Sequence, residues 1–375
     1  MSEPLRVGII GTGNIARSYA RAYHDIPEAQ VVALCDIVPD KAATFGQQQG
    51  FPEAQCFTDY RDMIDKCRLD AVSISTPNAS HSFISVDALK AGLHVLCEKP
   101  MSVTLEEAVD MARAAKKAER ILSIGFQPRY DPNMQEMKRI VQSGILGKIY
   151  YIETGGGRRR GMPWGSFVNK ETAGFGAIAD IGCYALDMAL NALGYPKPLT
   201  VSAQATNYFG KSRKYNGGND PEELEVEDFG TAYIRLEGDI VLLFQTSWAM
   251  HLDSMGAAFF LGTEAALKCT PSGVGNWGGV WDGGVGSMTL YHDLLGHQTE
   301  APIPLKQRGS LNIFTEKVRA FVLAAKQGKE APIPGEQIVL NQAIIDGILR
   351  SAASGREVDI YIPEKKVAVE FNGIY

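Results

Sequence analysis

Short apolar runs alternate with longer amphipathic stretches through the first third of the chain. The apolar runs predict buried strands, and the stretches between them predict helices. The predicted strands cover residues 7–10, 31–35, 71–75, 94–96 and 121–126. Strands that alternate with helices pair in parallel and form a doubly wound sheet. We therefore predict an α/β fold whose first domain spans residues 1–125.

The rest of the chain, residues 126–375, predicts a second domain of strands and closing helices. Residues 148–154, 226–228 and 239–248 have the pattern of strands. Asp131 and Pro132 predict the N-cap and the first residue of a helix. Two further helices are predicted at 312–327 and 335–354, each of which is followed by a glycine.

A glycine-rich turn follows the first predicted strand. Its sequence is Gly11-Thr12-Gly13-Asn14-Ile15-Ala16. This is the GxGxxG pattern with alanine at the third position, where a small residue suffices for packing the helix on the strand. Asp36 ends the second strand, 20 residues after Ala16, where a carboxylate binds the ribose hydroxyls of a dinucleotide. No arginine immediately follows Asp36, which favours NAD, although Lys41 keeps NADP possible.

Two further loops follow strands of the predicted sheet, at the edge where ligands bind. The first contains Thr76-Pro77-Asn78 and His81, and the second is Cys97-Glu98-Lys99-Pro100. The proline biases Lys99 towards an extended backbone, which would hold its ammonium over the strand ends. A polar surface loop is the alternative interpretation of each segment taken alone.

Composition and charge limit the possible partners. Lys and Arg number 37 and Asp and Glu 43, so the net charge of −6 argues against a nucleic-acid partner or an acidic membrane surface. The six cysteines lack paired spacing and suggest free thiols in a reducing compartment, so we expect a cytoplasmic protein. No apolar run is long enough to span a membrane, and the start of the chain leaves no room for a signal peptide.

Together, the glycine turn, the Thr76–His81 loop and Glu98-Lys99-Pro100 resemble the Gfo/Idh/MocA family. Members of this family are NAD(P)-dependent oxidoreductases that act on sugars, cyclitols and related polyols. The resemblance implies a Rossmann domain followed by an α/β domain with a large, open, mainly antiparallel sheet. It also implies that the cofactor is contacted by Gly11, Thr12, Gly13, Asn14, Ile15, Asp36, Thr76, Pro77, Asn78, His81, Glu98, Lys99, Gln127 and Trp164.

A candidate catalytic helix begins near residue 180. Apolar residues at helical spacing predict a helix to residue 193, with Asp180, Tyr184 and Asp187 on one face. This could be a surface stripe, but it resembles the family's Asp-x-Gly-x-His-x-x-Asp motif, with Tyr184 in place of the histidine. The resemblance implies that Tyr184 is the general acid and base, assisted by Lys99. Asp180 would hold a substrate hydroxyl or Lys99.

Three consecutive arginines and a tryptophan form a further candidate. Residues 158–160 are arginines, and Trp164 follows four residues later. They could form a solvated turn, or Arg159 and Arg160 could bind substrate hydroxyls while the indole covers a sugar or the nicotinamide. The glycine-rich segment 273–286 could be a hairpin tip, an interface loop or a lid.

These features predict hydride transfer between NAD(P) and a secondary alcohol of a sugar, cyclitol or related polyol. Two alternatives stay open: a glycosidase that uses tightly held NAD for transient oxidation, and a dinucleotide-binding regulator without catalysis. No residue spacing indicates a metal site. An open apolar sheet face needs covering, so we expect a homodimer or homotetramer formed through it.

Overall fold

A computed structural model of the chain describes residues 3–253, 255–272, 279–282 and 284–363. The strands are β1 (Leu5–Ile10), β2 (Ala29–Cys35), β3 (Gln55–Phe57), β4 (Ala71–Ile74), β5 (His94–Cys97), β6 (Leu122–Ile124), β7 (Ile149–Gly157), β8 (Pro198–Thr206), β9 (Phe229–Leu236), β10 (Ile240–Ser247), β11 (Ala258–Gly262), β12 (Ala265–Pro271), β13 (Val285–Leu294), β14 (His297–Pro302) and β15 (Val358–Asp359). The α-helices are α1 (Ala16–His24), α2 (Lys41–Gln49), α3 (Tyr60–Lys66), α4 (His81–Lys90), α5 (Leu105–Ala118), α6 (Pro132–Gln142), α7 (Lys170–Ala173), α8 (Ala177–Asp180), α9 (Gly182–Leu193), α10 (Ile313–Gln327) and α11 (Gly335–Ser354).

The first compact unit is built on a six-stranded sheet with the order β3-β2-β1-β4-β5-β6. All five neighbouring pairs are parallel. Strand β1 lies inside this sheet, and Val7 and Ile9 are fully buried, because a parallel sheet has helices on both faces. The doubly wound parallel sheet predicted from the sequence is confirmed.

Helix α10 also belongs to the first unit, which comprises residues 1–127 and 310–339. Its side chains Val318, Phe321 and Val322 are fully buried in the same hydrophobic cluster as Tyr19 and Ala20 of α1. The predicted ranges 1–125 and 126–375 do not include this return of the chain. A helix that begins 189 residues after the end of β6 gives no local sign of which sheet it will cover.

The second compact unit, residues 128–309 with 340–375, is built on a nine-stranded sheet. Its order is β14-β13-β12-β11-β7-β10-β9-β8-β15. Strands β7 and β10 pair in parallel, and the other neighbouring pairs of this described sheet are antiparallel. The prediction of a large, mainly antiparallel sheet is therefore confirmed.

Strand β9 shows how the large sheet is packed. Alternate residues such as Ala232 and Ile234 are buried, whereas Tyr233 is exposed. This alternation is expected of a strand with one face on the core. Residues 226–228, predicted as a strand, precede β9 and are not themselves in a strand.

Helices in the described ranges are individually too short or too polar to cross a membrane. Taken together, Lys170–Asp180 and Gly182–Leu193 satisfy the length and composition criteria, with a bend of 50° between them.

Candidate active site

The glycine turn between β1 and α1 has the geometry of a dinucleotide-binding loop. Gly11 has φ +88°, and a Cβ placed on it would lie 2.8 Å from the Ser75 backbone. A Cβ on Gly13 would meet no atom within 4 Å, so the backbone there is open to close approach. Ala16 is fully buried where α1 begins. These three positions match the three roles of the GxGxxG pattern.

Asp36, at the end of β2, connects the glycine turn to α2. Its Oδ2 accepts hydrogen bonds from Thr12 N at 3.0 Å and Thr12 Oγ1 at 2.7 Å. Lys41 Nζ lies 2.8 Å from the same oxygen, and Val38 N donates to Oδ1 at 3.1 Å. Burial would raise the pKa of Asp36, but the bonds from Lys41 and Thr12 outweigh it and lower the pKa. The carboxylate is therefore ionised and rigidly placed.

His81 connects the two loops that carry Asn78 and Lys99. Its side chain is buried, with Nδ1 2.8 Å from the Pro100 carbonyl oxygen and Nε2 3.0 Å from the Thr76 carbonyl oxygen. Burial lowers the pKa of His81. Its ring nitrogens face the backbone of both loops, so the side chain helps to hold them in place. The cofactor contact predicted for His81 stays a prediction.

Lys99 follows β5 and is partly exposed, and its peptide bond to Pro100 is cis. Its neighbour Glu98 is buried, and Glu98 Oε1 accepts hydrogen bonds from Tyr19 Oη at 2.8 Å and Lys317 Nζ at 2.6 Å. Glu98 Oε2 accepts from Lys99 N at 3.3 Å. The Glu98 carboxylate is therefore already bound within the protein. The cofactor contact predicted for Glu98 stays a prediction. Lys317 was not among the functional residues predicted from the sequence.

Asp180 does not lie on the same helix as Tyr184, contrary to the prediction. Helix α8 ends at Asp180, and α9 begins at Gly182 after a bend. Gly182 lies at this bend, where a Cβ would come within 2.6 Å of Phe244. The chain thus turns closely over β10, so the i, i+4 relation assumed from the sequence does not hold.

The Asp180 carboxylate is buried and accepts a hydrogen bond from Trp248 Nε1 at 2.9 Å. Arg158, at the end of β7, interacts electrostatically with Asp180, while burial lowers the pKa of the Arg158 guanidinium. Arg158 was the arginine of the triplet that the sequence analysis passed over. Its partly buried position beside a carboxylate distinguishes it from Arg159 and Arg160, which are exposed.

Tyr184 lies on α9 and is buried. Its ring stacks on Trp281, with the ring centroids 4.9 Å apart and the planes 10° from parallel. Trp281 comes from the glycine-rich segment, of which residues 273–278 and 283 lie outside the described residues. A Cβ on Gly156 would lie 2.6 Å from the Trp281 indole, so the glycines of β7 make room for this stack.

Asp187 belongs to a buried network and not to an open face. Arg129 donates to both of its carboxylate oxygens, at 2.9 and 2.7 Å, and the Tyr195 hydroxyl bonds to both side chains. Burial alone would lower the pKa of Arg129, but Asp187 and Tyr195 raise it. This charge pair fixes α9 and leaves Asp187 a structural residue.

Arg160 supports an aromatic cluster in the second unit. Its guanidinium lies over the Tyr215 ring at 4.6 Å and donates to the Met250 carbonyl at 2.7 Å. A cavity of about 370 Å³ adjoins it and is lined by Gln204, Thr206, Tyr208, Phe209, Asp228, Phe229, Ala249, Met250 and His251. Trp164 is 75% exposed. The substrate and cofactor contacts predicted for Arg159, Arg160 and Trp164 stay predictions.

Glu227 holds the start of α8, the helix that ends in Asp180. Its Oε1 accepts hydrogen bonds from Gly176 N at 2.8 Å and Ile178 N at 3.1 Å. Burial raises the pKa of Glu227 to about 7, despite these bonds. Sequence reasoning placed this residue in a strand and missed its role as a cap.

The remaining residues predicted to contact the cofactor lie at helix starts and in short turns. Ile15 is the N-cap residue of α1 and is 40% exposed, and Pro77 precedes a 3-10 turn that contains Asn78. Gln127 begins another 3-10 turn. Within the described ranges, three or more His, Cys, Asp or Glu side chains do not cluster in a way that would hold a metal ion.

Comparison with known proteins identifies the family. Residues 5–126 match the oxidoreductase family with an NAD-binding Rossmann fold, and residues 134–268 match the GFO/IDH/MocA C-terminal domain. The chain belongs to the Gfo/Idh/MocA family. It is accordingly an oxidoreductase with NAD as its cofactor, and the glycine turn and Asp36 fit this nucleotide.

Full-length relatives include a D-glucoside 3-dehydrogenase from Escherichia coli, which is 32% identical over 368 residues, or 96% of this chain and 98% of the relative. A glucose-6-phosphate 3-dehydrogenase from Bacillus subtilis is 31% identical over 251 residues, or 64% of this chain and 67% of the relative. Among solved structures, an aldose-aldose oxidoreductase from Caulobacter crescentus complexed with glycerol has a TM-score of 0.75 and 26% identity, covering 95% of this chain and all of that one.

Proposed function

We propose that the protein oxidises a secondary hydroxyl of a sugar, sugar glycoside or cyclitol, or reduces the corresponding ketone. The observation that carries this proposal is the similarity to D-glucoside 3-dehydrogenase along nearly the whole length of both chains. The fit of Gly11, Gly13 and Asp36 to a dinucleotide supports the same reaction class.

The glycine turn and Asp36 would hold the nucleotide, which would supply a hydride acceptor as NAD or a hydride donor as NADH. The hydroxyl proton leaves separately, and we assign its transfer to the Tyr184 hydroxyl. A phenol has a pKa of about 10, so it requires a nearby cation to act as a base near neutral pH. We assign this charge to the Lys99 ammonium, which would also stabilise the oxygen as it loses its proton.

Asp180 and Arg158 are proposed to orient the substrate. The Asp180 carboxylate keeps one bond to Trp248 Nε1, and a carboxylate accepts several hydrogen bonds, so it can also accept from a hydroxyl. The Arg158 guanidinium next to it would donate to a second hydroxyl. Such paired donors and acceptors are typical of sites that recognise polyols.

The test is a panel of glucosides, free sugars, sugar phosphates and cyclitols, each with NAD and NADP, followed by NADH or NADPH absorbance. We expect reduced cofactor to accumulate with at least one secondary alcohol, together with a ketone product identified by mass spectrometry. Cleavage of a glycosidic bond without net reduced cofactor would instead support the glycosidase alternative. Binding of NAD without any turnover would support the regulator.

We also propose that two copies pair through the open face of the nine-stranded sheet. The partly exposed side chains Tyr151, Leu243, Phe259 and Leu261 occupy neighbouring positions on that face of β7, β10 and β11. Sedimentation equilibrium of the parent and of Phe259→Lys tests this. A parent that stays monomeric at micromolar concentration would contradict the proposal.

A further inference from the structure

A lysine is buried in the first unit without a role in the proposed chemistry. Lys317, on α10, is 1% exposed at its side chain, and its ammonium lies 2.6 Å from Glu98 Oε1. The same ammonium lies 3.6 Å from the centroid of the Phe314 ring and 3.4 Å from Tyr19 Oη. Lysine is very rarely buried unless it is paired. The Lys317 ammonium is therefore paired with the Glu98 carboxylate that it contacts.

The carboxylate of Glu98 has two different partners. Oε1 is occupied by Lys317 and Tyr19, while Oε2 accepts from the backbone N of Lys99. Gly125 leaves room for this carboxylate, since a Cβ there would lie 3.0 Å from its oxygens. Glu98 thus links a buried ion pair on one side to the backbone of Lys99 on the other.

We propose that Lys317 is a positioning residue for Lys99: its ammonium keeps Glu98 as a carboxylate, and Glu98 fixes the backbone from which the Lys99 side chain projects. This inference rests on the proposed function, in which Lys99 assists proton transfer. It adds a residue that lies 219 positions from Glu98 in the sequence.

The surrounding groups determine how Glu98 responds to loss of this cation. The groups near Glu98 are Lys317, Tyr19, Cys97, Lys99 and His81. Burial would raise the pKa of Glu98, and Lys317 is the main influence that lowers it. Burial raises the pKa of both Tyr19 and Cys97, so neither of them supplies a charge near neutral pH. Without Lys317, burial would therefore raise the pKa of the Glu98 carboxyl, with Tyr19 and Lys99 left to oppose it.

The experiment compares Lys317→Met with Lys326→Met on the same helix. Lys326 is partly exposed and donates to the Glu3 carbonyl, so its loss should change neither activity nor its pH dependence. In Lys317→Met we expect kcat at pH 7 to fall about 10-fold or more, with the KM for NAD nearly unchanged. The rate should recover as pH rises and Glu98 ionises, which adds a limb to the pH profile. Lys317→Met combined with Glu98→Gln should lack that limb.

Hydrogen–deuterium exchange provides a readout that does not depend on turnover. The peptide containing residues 97–101 should exchange faster at pH 7 in Lys317→Met than in the parent or in Lys326→Met. If no substrate on the panel is oxidised by the parent, the proposed function fails, yet this exchange still decides whether Lys317 positions Lys99. Parent-like exchange and a parent-like pH profile in Lys317→Met would overturn the inference.

Should Lys317→Met fail to fold, Tyr19→Phe replaces it. This change removes one donor to Glu98 Oε1 and keeps the ring that packs edge to face on Phe314. We expect the same added limb at lower pH, with a smaller loss at neutral pH than in Lys317→Met, because one donor is removed while the ammonium remains. A pH profile identical to the parent's would contradict the proposal here too.

Discussion

Glu227 provides a prediction with a magnitude that follows from the structure. Its carboxyl caps the start of α8 and has a pKa of about 7, against 4.5 for an ordinary glutamate. Between these two pH values the folded chain holds a proton that the unfolded chain has released. Folding therefore takes up a proton, and the free energy of unfolding falls as the pH rises from 4.5 to 7. Well above pH 7, this contribution of Glu227 to the free energy of unfolding is fully lost.

The size of the effect follows from this difference. A separation of about 2.5 pH units at ~1.36 kcal/mol per unit gives an upper limit of about 3 kcal/mol. Glu227 is partly exposed, and water screens its charge, so we expect about half of that, or ~1–2 kcal/mol. Glu227→Gln removes the ionisation, while the amide oxygen can still accept from Gly176 N. The variant should therefore lose less stability than the parent between pH 5 and pH 8.

The assay is urea unfolding at pH 5, 6, 7 and 8, followed by tryptophan fluorescence. Glu225→Gln is the matched control, because Glu225 also accepts a backbone bond, from Lys170 N at 2.9 Å, but is exposed. It should retain the pH dependence of the parent. If Glu227→Gln shows the same decline with pH as the parent and the control, the carboxyl of Glu227 is ionised throughout, and the reasoning is refuted.

Three predictions concern the cofactor and proton transfer. Asp36→Ala should narrow the preference for NAD over NADP, measured as the ratio of kcat/KM values, because it releases Lys41 from a 2.8 Å ion pair to meet a 2′-phosphate. Adding Lys41→Ala should restore poor use of NADP. An unchanged ratio in Asp36→Ala would contradict this prediction. Lys99→Met should lower kcat by a factor of ~10²–10⁴, while NAD binding, titrated by fluorescence, stays near normal. A near-normal kcat would remove Lys99 from the mechanism. Tyr184→Phe keeps the ring that stacks on Trp281, so NADH binding should persist while kcat drops sharply and the rise of oxidation rate at alkaline pH disappears. A parent-like pH profile in that variant would mean that another group moves the proton.

The parallel sheet of the first unit was predictable from local patterns. Five of its six strands are short apolar runs, because a strand covered on both faces has no polar side. The exception is the edge strand β3, which is short and largely exposed and was not predicted. The glycine turn was also predictable, since the positive φ of Gly11 and the open surface at Gly13 require residues without a Cβ. Features of this kind depend on residues close together in the sequence, so they can be predicted without knowing the tertiary contacts.

Contacts between distant segments were not predictable in the same way. Lys317 lies among polar and apolar residues of an ordinary amphipathic helix, where a lysine usually faces solvent. Trp281 lies in a glycine-rich stretch with no regular pattern, yet its ring stacks on Tyr184. Asp180 was assigned to the face of a helix that in fact begins two residues later. Each of these depends on tertiary packing that hydrophobic periodicity does not encode.

The polar residues that motif reasoning singles out divide according to burial. Glu98, His81 and Asp180 are buried, and each is bound to another group of the protein: an ammonium, two carbonyls and an indole. A buried polar group without a partner is costly, so a motif residue at the base of a site must be satisfied before any ligand arrives. Such residues cannot be distinguished by sequence from those that touch substrate, because both kinds are polar and occur in the same motifs. The distinction requires variants that separate binding from turnover. Lys317 and Lys99 provide the sharpest case, since removing the first should shift a pH profile and removing the second should lower kcat.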